Sequence, residues 1–369
     1  MFTYKQKGIK LSKKQQVKDP HKCKIKSSDT QIFVLKPIKI TLSDWFCTWI
    51  DTFCQTLSTM TVQDYIAKAN RYILPNLGQI PVDELTQLQV QSFCNNLTNG
   101  YEGQKPLSPK TVKNIHGILH SCLKQAQRSG VIKQNPSDLI KLPKISKPDI
   151  SPLMDTQVAD FLKAIRGHQY EVLYILALFS GLRESELLGL SWDDINFENG
   201  AILVQNQLQK DRHGRYFFVD HTKNGKNRIA VIPPSIIKIL KKHRAKQAEW
   251  QLAKGANWEN TRNLVFTTKS GNHLRHNSIY KHFKRVVASI GVPNVRFHDL
   301  RHSCAILAVQ SGCDVKSIQE QLGHYSSSFT LDVYVAMSET MREDTKGRME
   351  KTYQHLIKQM KATKGHTLK

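Results

Sequence analysis

Arg183 and Glu186 stand three residues apart in Ser180-Gly-Leu-Arg-Glu-Ser-Glu-Leu-Leu-Gly-Leu190. On a helix this spacing puts both on one face. There they make either a surface ion pair worth under about 1 kcal/mol, or a guanidinium fork aimed at an oxyanion and oriented by the carboxylate. Lys223 comes just before Asn224-Gly225 in Thr222-Lys-Asn-Gly-Lys-Asn-Arg228. A lysine there commonly serves solubility, although a hairpin would also present it at a fixed point. His298 and Arg301 share a face in His298-Asp-Leu-Arg-His302, and Asp299 favours a helix start. His324 follows Gly323, a glycine placed to end a helix, where a protonated imidazole suits the helix dipole. Tyr334 lies beside the apolar stripe Phe329, Val333 and Met337, as a packing residue would. Cations, imidazoles and one phenol are tools for substitution at an anionic centre by a protein nucleophile.

Other chemistries find little support. The chain has no phosphate-cradling GxxxxGK[ST], no GxGxxG, no HExxH and no GxSxG. Its acids are too dispersed for a two-metal cluster. Its 369 residues carry 54 Lys and Arg against 30 Asp and Glu, a net charge of +24. With 40% hydrophobic residues it can build cores, so wholesale disorder is excluded. Such a charge calls for a polyanion, nucleic acid first and an anionic membrane surface second. The longest apolar run, around Val172–Phe179, is far short of a membrane span, and no secretory signal follows the basic N-terminus. Seven scattered cysteines without CxxC or Cys/His ligand spacing suggest reduced thiols in a cytoplasmic protein, with no metal and no cofactor.

These residues need elements to position them. Residues 1–40 hold eleven Lys against Asp19 and Asp29, either as a solvated, flexible tail or as an arm along a phosphate backbone. Thr41-Leu-Ser-Asp44 caps a first helix with Trp45, Phe46, Trp49, Ile50 and Phe53 on one face. A second helix runs from about Thr61 to Ile73 and stops at Pro75; a third follows Thr86. Ser108-Pro109 opens a fourth, whose outer surface shows Lys110, Lys113, Lys124 and Arg128. Residues 41–140 thus form a small helical domain. Residues 141–154, with Lys144, Lys147 and two prolines within Lys141–Pro148, form a basic linker. In the second domain, 155–369, two helices precede strands at Ala201–Gln207, Tyr216–Asp220 and Arg228–Ile232, with Asn224-Gly225 as a two-residue hairpin turn. Helical patterns then resume to near the end.

The wording of the five phrases is more specific than any of them alone. SGLRESELLGL, FHDLRHSCA and QLGHYSSSFTLDVY resemble the tyrosine recombinase (phage integrase) family, whose active site runs Arg, Lys, His-x-x-Arg, His, Tyr in that order. ILPNLGQIPVDELT and LSPKTVKNIHGILHSCLKQA resemble its core-binding domain in integrases of Gram-positive prophages and conjugative transposons. The resemblance spans roughly residues 41–350. It implies a mainly α fold with a small β-sheet: a helical SAM-like core-binding domain plus a mixed α/β tyrosine-recombinase catalytic domain.

The resemblance also implies roles. Tyr334 attacks a DNA phosphate, His298 takes its proton, Arg183 and Arg301 clamp the non-bridging oxygens, Lys223 protonates the departing oxygen, His324 bonds the phosphate, and Glu186 braces the site. Lys226 competes with Lys223 for the acid's role. A site-specific recombinase working through a 3′-phosphotyrosyl link and a Holliday junction follows, with double-stranded DNA as partner and neither metal nor ATP required. Four protomers would assemble on DNA, with dimer or monomer otherwise. The segment 342–361 would dock on a neighbouring subunit, or pack as an ordinary core helix. An excisionase-like accessory protein is expected. Residues 1–40 are short for the folded arm-binding domain that such integrases often carry. The alternatives are a type IB topoisomerase and a non-catalytic helix-turn-helix regulator reading DNA through residues 302–322.

Overall fold

The computed structural model describes residues 39–100, 103, 105–145, 152–211, 213–220, 227–323, 350, 353 and 354. The N-terminal basic arm before Lys39, Lys147, Lys223, Lys226, His324, Tyr334 and most of the 342–361 segment lie outside them. The chain divides into two compact units, one up to Lys144 and one from Ile145.

The first unit is helical: α1 (Leu42–Phe53), α2 (Thr59–Lys68), α3 (Leu74–Leu77), α4 (Gln87–Asn99) and α5 (Pro109–Arg128). Local chemistry sets its helix starts. Thr41 and Asp44 exchange hydrogen bonds in a capping box on α1, and Thr86 and Gln89 do the same on α4. Ser108 caps α5 through the Thr111 N–H at 3.3 Å, with Pro109 at the first helical position. Trp45, Trp49, Phe93, Ile115 and Leu119 are buried together in one core, and the Trp45 indole donates to the Cys122 carbonyl at 3.0 Å.

The second helix does not stop before Pro75. Ala69–Ile73 widen into a π-turn, and α3 restarts with Pro75 in its first turn, where a missing N–H costs no bond. The start of the expected linker is strapped to this unit: Gln91 accepts from the Lys141 N–H at 2.8 Å and donates to its carbonyl at 3.0 Å.

The second unit contains α6 (Asp155–Ile165), α7 (Glu171–Ser180), α8 (Glu184–Gly189), β1 (Ala201–Val204), β2 (Gln207–Lys210), β3 (Tyr216–Val219), β4 (Arg228–Val231), α9 (Pro234–Lys254), α10 (His276–Ser289), α11 (Asp299–Gln310) and α12 (Val315–Leu322). The strands form two antiparallel pairs, β1–β4 and β2–β3. The expected hairpin between the Tyr216 and Arg228 strands is therefore corrected: β4 pairs with β1. Burial decides this register, since Ile202 and Ala230 face each other and both are fully buried. The single strand expected at Ala201–Gln207 is broken at Gln205 and Asn206. Both turn their amides to Asp194, at 2.6 and 3.5 Å.

Its main core joins α6, α7, α8, the strands, α9 and α10, with Phe161, Tyr174 and Phe283 in edge and tilted ring contacts. A smaller cluster of Cys304, Ala305, Val309, Ile318 and Leu322 fastens α12 onto α11. Among the described residues no helix is long and apolar enough to cross a membrane.

Candidate active site

Arg183 stands at the start of α8, immediately after the tight exit from α7. Gly181 makes that exit possible: its φ is +66°, and a Cβ there would lie 2.3 Å from Leu322 Cδ2 and 3.3 Å from Cys304 Sγ. The chain then enters α8 with Glu186 at its third position. The carboxylate turns back to accept from the Arg183 N–H at 2.8 Å and from Arg183 Nη1 at 2.7 Å. The resulting ion pair is no surface contact, because the Glu186 side chain is 0% exposed. Arg183 itself is 39% exposed, and its Nε and Nη2 have no protein partner among the described residues. Those two donors are open for a further acceptor.

Arg228, which closes the Lys223-containing phrase, was not singled out from sequence. Its fork meets both Glu186 oxygens, Nη1 to Oε1 at 2.9 Å and Nη2 to Oε2 at 2.6 Å. Burial alone would raise the Glu186 carboxyl. The bonds and charge of Arg228, then of Arg183, overcome this and hold it at about 2. Breaking such a buried pair by removing one partner costs on the order of 3–5 kcal/mol. The basic run from Lys223 to Arg228 was the only sequence signal for it.

Arg301 is 2% exposed. It projects from the first turn of α11, where Asp299, itself buried, accepts from the Arg296 N–H at 2.8 Å and from the Arg296 guanidinium. Arg301 Nη1 donates to the Gly181 carbonyl at 2.6 Å, and Nη2 donates to the Leu322 carbonyl. It thus ties the C-terminal ends of α7 and α12 together. Burial, then the charges of Arg183 and Arg228, lower its guanidinium to about 9, which leaves it protonated at neutral pH.

His298 is the N-cap residue of α11 and keeps an exposed face. The loss of hydration where its ring lies against protein, followed by the Arg301 and Arg183 charges, lowers it from 6.5, toward the neutral base. His302, one turn on, sets its ring edge-on to His298 with centroids 5.1 Å apart. Burial, then His298, pushes His302 down to about 4.

Four of the expected catalytic and supporting residues, Arg183, Glu186, His298 and Arg301, are therefore placed by the structure, and mutual hydrogen bonds and charge effects connect them. Gly323, the residue before His324, ends α12 at φ +62°. The six described cysteines are all free, and among the described residues no group of three His, Cys, Asp or Glu could hold a metal. In the first unit, Lys110, Lys113, Lys124 and Arg128 are all exposed on α5, and Lys144 is exposed beyond it.

Comparison with known proteins places this architecture. Residues 151–341 match the phage integrase family, and residues 41–98 match the phage integrase N-terminal SAM-like domain. A "Tyrosine recombinase XerC-like" protein of Caldanaerobacter subterraneus subsp. tengcongensis is 30% identical over 313 residues, 80% of this chain and 79% of its own length. The fold is similar to the Tn1549 transposon integrase solved with transposon right-end DNA, at TM-score 0.69 and 20% identity over 82% of this chain and 99% of that one. It is also similar to a lambda integrase solved as a tetramer on a Holliday junction, at TM-score 0.58 and 20% identity over 78% of each chain.

The fold and the family matches define a tyrosine-type site-specific DNA recombinase. The chain belongs to the phage integrase family.

Proposed function

We propose that this chain integrates and excises a mobile element, with Tyr334 as nucleophile and Arg183, Lys223, His298, Arg301 and His324 around the scissile phosphate. The observation that carries this reading is Arg183 itself. It is a part-exposed guanidinium fixed through one nitrogen to a fully buried carboxylate, with the rest of its fork open beside Arg301 and His298.

The chemistry balances without an external energy source, since one phosphodiester is exchanged for another. The Tyr334 oxygen attacks phosphorus and its proton passes to His298, whose lowered basicity keeps it neutral at pH 7. Arg183 donates to the non-bridging oxygens and Arg301 adds a second, buried cation. Both act where charge grows in the transition state. The bond to the 5′-oxygen breaks, and Lys223 supplies its proton. Attack by a 5′-hydroxyl then reverses these steps and frees the tyrosine. His324 donates to the phosphate, and Glu186 holds Arg183.

Duplex DNA would be gripped by the first unit through α5. At about 100° per residue, Lys110, Lys113, Lys124 and Arg128 fall within roughly 60° of one another, along about 27 Å of helix. Such a stripe suits successive phosphates. Lys144 and Lys147 add basic charge in the sequence that joins a DNA-recognition domain at 41–140 to a catalytic domain at 155–369. The tetramer on a Holliday junction seen for lambda integrase supports the same assembly here, with 342–361 as the exchanged segment. Residues 1–40 add a basic arm, an excisionase-like protein sets direction, and the reaction runs in the bacterial cytoplasm.

The test is a nicked suicide duplex carrying the element's end. A covalent protein–DNA adduct is expected without divalent metal, and it should vanish in Tyr334→Phe. No adduct in the wild type would favour a helix-turn-helix regulator. Adducts on random DNA with relaxation of supercoils would favour a type IB topoisomerase.

A further inference from the structure

One cation stands among the residues assigned to catalysis and has no role in the reaction described above. Arg228 opens β4, five residues after Lys223. Its Nη1 and Nη2 are both spent on Glu186, and its Nε donates to the Gln321 carbonyl at 3.1 Å. The side chain is only 10% exposed, which leaves it no freedom to swing out onto a phosphate. Its shaft occupies the space over Gly323, where a Cβ would stand 2.5 Å from Arg228 Cδ. One edge of the guanidinium therefore meets the carboxylate that holds Arg183. The other meets the stretch of chain that leads directly into His324.

We propose that Arg228 is a positioning residue for strand cleavage: it fixes the Glu186 carboxylate, and through it Arg183, relative to the end of α12. The inference rests on the recombinase reading of this site. Glu186 receives bonds from two arginines, and Arg183 is the less enclosed of the two, at 39% exposed against 10% for Arg228. Without Arg228 the buried carboxyl keeps a single hydrogen-bonded cation, in surroundings that favour its neutral form. A neutral Glu186 offers Arg183 no anion to pair with, and the fork loses its fixed direction. The groups facing Glu186 are Arg183 from the start of α8, Arg228 from β4 and, at longer range, Arg301 from α11. Lysine could supply the charge at 228 but could not form the bidentate contact and reach Gln321 as well.

The experiment follows single-turnover cleavage from about pH 5 to 9, using a nicked suicide duplex built from the DNA junction flanking the gene. Wild type is compared with Arg228→Met, Arg228→Lys, Glu186→Gln and the Arg228→Met/Glu186→Gln double variant. Arg228→Met should cleave at least tenfold more slowly at neutral pH while binding the duplex within about twofold of wild type. The acidic limb that His298 gives the wild-type profile should move upward by about one pH unit, as Glu186 now titrates within range. Arg228→Lys should regain part of the rate and the wild-type limb. The double variant should show no displaced limb and should cleave as fast as Glu186→Gln alone, because Arg228 acts through Glu186. If Arg228→Met does not fold, that last comparison decides, since the double variant buries no unpaired charge. A loss equal at every pH, or a further tenfold loss in the double variant, overturns the proposal. A wild type that forms no adduct rejects the recombinase reading itself.

Discussion

Arg301 Nη1 donates to the carbonyl oxygen of Gly181 across 120 residues of chain, at 2.6 Å, two residues before Arg183. A buried cation thereby sets where the exposed one begins. Arg301→Lys keeps a charge but cannot reach both the Gly181 and Leu322 carbonyls from a planar fork. Adduct formation should fall by about 10²–10³-fold, the scale of losing one preorganised donor to a developing anion. Quench-flow cleavage of the suicide duplex measures it, and activity within twofold of wild type would remove Arg301 from the site.

Glu186 couples the site to acid stability. Its folded carboxyl is held at about 2 against an ordinary 4.5. A depressed folded value stabilises above the unfolded one and is lost as pH falls through the folded one. Urea unfolding should therefore show stability declining between about pH 4.5 and 2, with part of that slope absent in Glu186→Gln. Identical slopes in both proteins would contradict the buried pairing.

His298 predicts the acidic side of the rate profile. Its imidazole lies below 6.5, so cleavage should stay level through neutral pH and fall only as pH drops below that value. His298→Gln should lose the limb along with most of the rate. A limb that persists in this variant would assign the base elsewhere.

Gly323 combines a left-handed φ of +62° with the close passage of Arg228. Gly323→Ala should cost about 1–2 kcal/mol from backbone conformation alone, and more if Arg228 is displaced. Thermal unfolding gives the first figure. A cleavage defect larger than that of a Gly130→Ala control, where a Cβ meets nothing within 4 Å, reports the second.

The α5 stripe is tested by salt. Replacing Lys110, Lys113, Lys124 and Arg128 with Gln should lower the slope of log affinity against log salt by about 0.9 for each phosphate contact removed. Fluorescence anisotropy over a KCl series reads this directly, and an unchanged slope would place the DNA elsewhere.

Much of this was legible in the sequence because the decisive interactions are local. Thr41, Ser108 and Pro109 announce their helices within three residues of themselves. Arg183 and Glu186 declare their pairing by an i,i+3 spacing. Arg228 could not be read that way, since its partner lies 42 residues distant and the contact depends on how β4 is laid against α8 and α12. The strand pairing was misread for a related reason. Asn224-Gly225 is a strong local turn signal, but register followed the burial of Ile202 against Ala230, which no local phrase contains. Pro75 misled in the opposite sense, because a π-turn upstream let the helix continue.

The missing side chain at Gly181 has a consequence for descent. Leu322 Cδ2 and Cys304 Sγ occupy the volume that any Cβ at Gly181 would need. The three positions lie on α7's exit, α11 and α12, far apart in sequence, yet they share one small space. Among homologous integrases they should therefore change in concert, a larger residue at one accompanied by a smaller one at another. A lineage that altered Gly181 alone would displace the end of α12 and, with it, the approach to His324.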